Sequence, residues 1–133
     1  MIHAKLADAP YRVDIVAAGH PLVADEPKDA GGGAVGPAPF ELVLSGLAAC
    51  TLITLRMYAE RKGWAGFTAS GRFGHRVEGG RHLIERVLDV SGALDAAAVQ
   101  RLAEIAEKTP VTLALKGGFT ISTKLTQTAA ART

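Results

Sequence analysis

The sequence predicts an α+β fold, a single domain over residues 1–133, built around one long helix with largely antiparallel strands before and after it. Three observations predict it. Residues 36–64, GPAPFELVLSGLAACTLITLRMYAERKGW, form the longest apolar stretch, and from Leu42 to Ala59 only Ser45, Thr51, Thr54 and Arg56 interrupt it. The segments on either side alternate apolar with polar residues, as strands with one buried face do. No strand–helix–strand repeat of regular length occurs, so parallel crossovers are not expected.

Taken in order, His3 to Ala7 and Tyr11 to Ala17 read as two short strands broken at Asp8-Ala9-Pro10. Gly19-His20-Pro21 turns the chain, and Leu22 to Ala24 reads as a third strand. The charged loop Asp25 to Asp29 runs into Gly31-Gly32-Gly33, expected to be a flexible connector; no lysine follows at the spacing a phosphate-binding loop needs.

The helix opens at Pro39, which needs no N–H in a first turn, with Glu41 at the positive end of the dipole. It stops at Gly63, after the basic residues Arg61 and Lys62, giving roughly five or six turns. A helix that is apolar all round is buried all round. Ser45 and Ala49, and beside them Gly46 and Cys50, make ridges of small side chains that admit another helix closely. So small a chain can hardly enclose such a helix alone, so burial against a second copy, a homodimer, is expected. The apolar run also reaches the ~18-residue mark of a membrane span. Arg56, the globular remainder and the small-residue core argue against that, and no membrane partner is expected.

Phe67 to Val77 and His82 to Val90 alternate and are joined by Glu78-Gly79-Gly80-Arg81, a hairpin signal. Asp95 is placed to cap a helix from Ala96 to Lys108. Thr109-Pro110 breaks it and starts a short helix over Val111 to Leu115. After Gly117-Gly118, the alternation of Phe119, Ile121, Thr123 and Leu125 predicts a last strand, with a loose tail from Thr128 onward.

Fifteen basic and thirteen acidic residues are dispersed and aromatics make up only 5%, so no nucleic-acid partner is expected. The single cysteine excludes an intramolecular disulfide and a cysteine-rich zinc site. His3, His20, His75 and His82 have no ligand spacing, so no metal and no cofactor are expected. Ser45 lacks the GxSxG context of a serine nucleophile. The N-terminus lacks the basic and apolar regions of a signal peptide, and a cytoplasmic location is expected.

Cys50 lies on a stripe with Val43, Gly46, Leu47, Ile53, Thr54 and Met57 that carries no charge, and it is mid-helix, far from the N-terminal dipole. Two roles stay open for it: a buried apolar filler, or a thiolate stabilised by Arg12 or by one of the hairpin arginines Arg72, Arg76, Arg81 and Arg86.

The segment from Gly36 to Trp64, with Pro39-xx-Leu42 enclosing Glu41 and then Ala48-Ala49-Cys50-Thr51, closely resembles the central helix of the OsmC/Ohr family, most of all its YhfA-like branch. GHPLVADEP (Gly19 to Pro27) and AEKTPVTLAL (Ala106 to Leu115) follow in the matching order. The resemblance implies an intertwined homodimer, two long helices at its centre with antiparallel sheets wrapped around them. It also implies a stress-response role in which a central cysteine reduces organic hydroperoxides and a second cysteine, before Pro-Val, resolves the oxidised form. Cys50 matches the first position; at the second stands Thr109, which cannot form a disulfide. The family's arginine and glutamate find only Arg12 and Glu41 as counterparts, Glu41 standing nine residues before Cys50 rather than ten. Two functions therefore follow: a one-cysteine peroxidase using an external small-molecule thiol, or a non-catalytic protein holding a small apolar ligand at the dimer interface near Leu47, Met57 and Phe73. A dimeric scaffold in which Cys50 only packs is the remaining reading.

Overall fold

A computed structural model describes residues 1–128. The tail expected from Thr128 onward lies, past that residue, outside the described range. Strands β1 (Ile2–Leu6), β2 (Val13–Ala17) and β3 (His20–Ala24) form an antiparallel sheet in that order. Register runs Leu6 opposite Val13 and Ala17 opposite His20, so the turn falls on Ala18-Gly19, one residue earlier than Gly19-His20-Pro21 suggests. Both turn residues have positive φ, as a two-residue hairpin with the right twist demands. Pro21 then sits in an edge strand, where its missing N–H breaks no ladder.

The glycine-rich connector is fixed rather than flexible. Asp25 is buried, and its carboxylate accepts hydrogen bonds from the backbone N–H groups of Glu26 (2.8 Å), Gly33 (3.2 Å) and Val35 (3.3 Å). The backbone closes so tightly that a Cβ at Gly32 would collide with the Glu26 carbonyl, and one at Gly36 with that of Val23. A 3-10 turn, Lys28–Ala30, completes the loop.

Helix α1 (Pro39–Lys62) has 24 residues, longer than the five or six turns expected. The Glu41 carboxylate accepts the Ala38 N–H (3.0 Å), and Gly63 caps the other end in a left-handed conformation, its N–H shared between the Ala59 and Glu60 carbonyls. The hairpin β4 (Thr68–Glu78) and β5 (Arg81–Ser91) turns at Gly79-Gly80, followed by α2 (Ala96–Ala106), capped by Asp95 accepting the Ala98 N–H (2.8 Å), and α3 (Pro110–Gly117).

The core is where α1, α2 and the hairpin meet: Leu55, Ala59, Phe67, Leu102 and Ala106, with Trp64, Leu88 and Val90 packed on them. Helix α1 buries one stripe at four-residue spacing, Leu47, Thr51, Leu55 and Ala59. It is not buried all round. By length and apolarity α1 could span a membrane, and only 22% of that window is buried within the chain. Phe119 to Leu125 form no strand among the described residues; Phe119, Ile121 and Leu125 are exposed. Alternation supplies a strand with a face, but a ladder also needs an edge to pair with.

Burial pushes the Asp25 carboxyl up, yet its backbone N–H partners, helped by the Arg12 charge, outweigh that and leave it below the usual 3.8. A depressed folded value gives stability present above the unfolded value and lost as pH falls through the folded one. Asp25→Ala is expected to lower the urea midpoint near neutral pH. The gap from wild type should shrink as pH drops below 3.8, measured by circular dichroism.

Candidate functional site

Cys50 is half-buried and free on α1. It sits in a row with Val43, Gly46, Ile53 and Met57, at alternating spacings of three and four. At 100° per residue the row centres about 140° from the buried stripe. Ile53 is 54% and Met57 59% exposed, and a Cβ added at Gly46 would meet nothing within 4 Å. The thiol therefore borders an apolar seam that the chain leaves uncovered. Its Sγ has no hydrogen-bond partner among the described residues, and no arginine reaches it.

The arginines go elsewhere. Arg12 pairs with Asp14 (3.0 Å), and Arg76 bridges Glu78 and Glu85. Arg86 alone turns inward. Strand alternation puts it on the face of β5 shared by Ile84 and Leu88, and its side chain is only 13% exposed. One terminal nitrogen donates to Thr51 Oγ1 (3.1 Å) and Thr112 Oγ1 (2.9 Å), the other to the Ala106 carbonyl (2.7 Å). Glu107 lies 3.6 Å from the same group. Thr112 and Thr109 share a hydrogen bond of 2.6 Å, and Thr51 and Thr109 are both 0% exposed.

Thr109 thus belongs to a buried network joining α1, α2, α3 and β5. It caps α3 through its backbone, while its hydroxyl is committed to Thr112 rather than to the thiol. Glu41 serves the start of α1. No hydrogen bond or ion pair joins Cys50, Thr109, Glu41 and Arg12 to one another among the described residues, where Arg12 holds Asp14, Glu41 the Ala38 N–H and Thr109 the Thr112 hydroxyl. The sequence names Arg86 as one of four hairpin arginines that could reach the thiol, but Thr51 and Thr112 as its partners escape it; the available signal is a charge on the apolar side of β5.

Beside this network, a cleft of about 620 Å³ opens between β5 and α3, with Leu47 on its floor. Phe73 lines a separate groove with Glu41 and Ala48, so within one chain Leu47 and Phe73 border different hollows. His75 and His82, on neighbouring strands, hydrogen-bond to each other (2.9 Å), and the Phe40 ring lies 4.1 Å from His75 between centroids. No group of three His, Cys, Asp or Glu residues able to hold a metal occurs among the described residues.

The family model for OsmC-like protein matches residues 31–124, which takes in α1, the hairpin, both later helices and the network. The chain belongs to the OsmC-like family. Similar solved structures include an OsmC-like protein from Mycoplasma pneumoniae (20% identity, TM-score 0.69, 88% of this chain and 86% of that one). The organic hydroperoxide resistance protein OsmC from Legionella pneumophila is 18% identical, with TM-score 0.63 and 88% of each chain covered. Bacillus subtilis OhrB, an organic hydroperoxide resistance protein, is 23% identical, with TM-score 0.60 and 88% of this chain and 90% of that one covered. At such identities the likeness carries the fold. A comparison with curated proteins finds no match.

Removing Arg86 would take one hydrogen bond from each of the buried Thr51 and Thr112 hydroxyls and the shorter one from the Ala106 carbonyl, and would leave a void in the network, at a few kcal/mol in all. Arg86→Ala is expected to cost about 2–4 kcal/mol in urea unfolding, and Arg86→Lys somewhat less, since one ammonium cannot reproduce the fork. Glu107→Gln, at an exposed carboxylate, should stay within about 1 kcal/mol of wild type.

Proposed function

We propose that the protein is a one-cysteine, thiol-dependent peroxidase acting as a homodimer in the cytoplasm. The observation that carries this reading is Cys50 itself, a free, half-exposed thiol on the central helix of an OsmC-like chain with no second cysteine. The Cys50 thiolate would attack the terminal oxygen of a hydroperoxide ROOH; the O–O bond breaks, the sulfur gains the OH as sulfenic acid, and RO− leaves and takes a proton from solvent to become ROH. A small external thiol would then condense with the sulfenic acid, releasing water and forming a mixed disulfide. A second thiol would displace it, restoring Cys50 and leaving as an external disulfide, the two thiols having supplied the two electrons that reduced the peroxide. Thr109, having no sulfur, has no part in that transfer.

The seam supports the dimer. Apolar residues at alternating spacings of three and four are the pattern by which two helices interlock, and an uncovered apolar strip beside a packed core marks an association surface. Residues 119–125, alternating and unpaired in one chain, would find a strand edge on the second copy. The absence of a polar partner for Cys50 Sγ favours a second reading, a non-catalytic protein binding a small apolar ligand at that interface.

Intact mass after exposure to cumene hydroperoxide and to hydrogen peroxide separates the two, with Cys50→Ser as the blank. A one-oxygen gain faster than that of free cysteine, greater with the organic peroxide and reversed by added thiol, is expected. Oxidation no faster than free cysteine leaves the ligand-binding reading. Gly46→Leu, which meets open space within one chain, is expected to shift the mass in sedimentation from dimer to monomer.

A further inference from the structure

We propose that the cleft between β5 and α3 is a binding site for a small organic oxyanion with an apolar body. Its charged lining is Arg81, Arg86 and Lys116 against Glu107 alone, so the cleft carries a net positive charge. Its remaining surface includes Leu47, Ile84 and Leu115. A volume of about 620 Å³ is in the range of small-molecule sites, and a few placed polar groups on an apolar lining is how such sites orient a ligand.

The three cations differ in availability. Arg86 is locked by Thr51, Thr112 and Ala106 and contributes a fixed, preorganised charge. Lys116 donates to Glu107 (2.6 Å). Arg81, the first residue of β5 after the glycine turn, has no ion pair among the described residues and is free to close on a ligand. Glu107 is a resident example of the acceptor these cations donate to: the Lys116 hydrogen bond, opposed by partial desolvation, holds its carboxyl below the usual range. It is also the ligand's built-in competitor, so its charge should weaken binding of an external anion.

Cys50 does not line this cleft, and the site does not depend on the thiol's reactivity. The test therefore uses the full chain carrying Cys50→Ser, in calorimetric titrations with hexanoate, hexyl phosphate and 1-hexanol. At least one anion is expected to bind, more tightly than the alcohol and less tightly as salt rises; the tighter anion identifies the head group as carboxylate or phosphate. Arg81→Ala and Lys116→Ala should each weaken anion binding by about two- to fivefold, while Glu107→Gln strengthens it by a similar factor. The proposal is overturned if neither anion binds, if the alcohol binds as well as both anions, or if Glu107→Gln weakens binding.

Discussion

The guanidinium of Arg86 is the point on which the later half of the chain depends. A cation taken out of water costs several kcal/mol unless nearly every N–H finds an acceptor. Here the acceptors come from three helices, Thr51 of α1, the Ala106 carbonyl at the end of α2 and Thr112 of α3. Satisfying that one side chain therefore fixes how the helices meet the hairpin. The break between α2 and α3 serves the same end. Pro110 ends one helix and begins the next, exposing the Ala106 carbonyl to Arg86 and turning Thr112 inward.

Thr109 takes on a different meaning in that setting. The resemblance to OsmC/Ohr proteins marks it as the place of a second cysteine, and from sequence it looks like a simple loss. The structure gives its hydroxyl a job, bonded to Thr112 in a fully buried position. A thiol is a weak donor and a weak acceptor, so cysteine at this position would serve the polar network poorly.

Much of the architecture was legible in the residues. Alternation located five strands, Gly79-Gly80 the hairpin, Asp95 a cap and Gly63 a stop, because each of these is decided by local stereochemistry. What local pattern could not supply was anything requiring a partner. Phe119 to Leu125 have a strand's alternation but no edge within reach, and α1 has the composition of a fully enclosed helix but encloses only one stripe. The connector after Asp25 misled in the opposite direction. Its glycines look like slack, yet two are there because the backbone passes too close for any side chain. The candidate site was half legible: Cys50 stood out as the lone thiol, whereas the Arg86 network joins residues far apart in sequence that carry no shared spacing.

The strand pairing has a consequence for how the chain reaches this state. Every ladder joins consecutive strands, β1 to β2, β2 to β3 and β4 to β5, so each closes a short loop. Low sequence separation makes such contacts quick to form, with hairpins closing in about 1–10 μs. The bond between Arg86 and Thr51 spans 35 residues and needs α1 and the hairpin in place, and the one to Thr112 needs α3 as well. Two independent local units should therefore appear early, and the buried cation would be desolvated last, when acceptors from all sides are waiting for it.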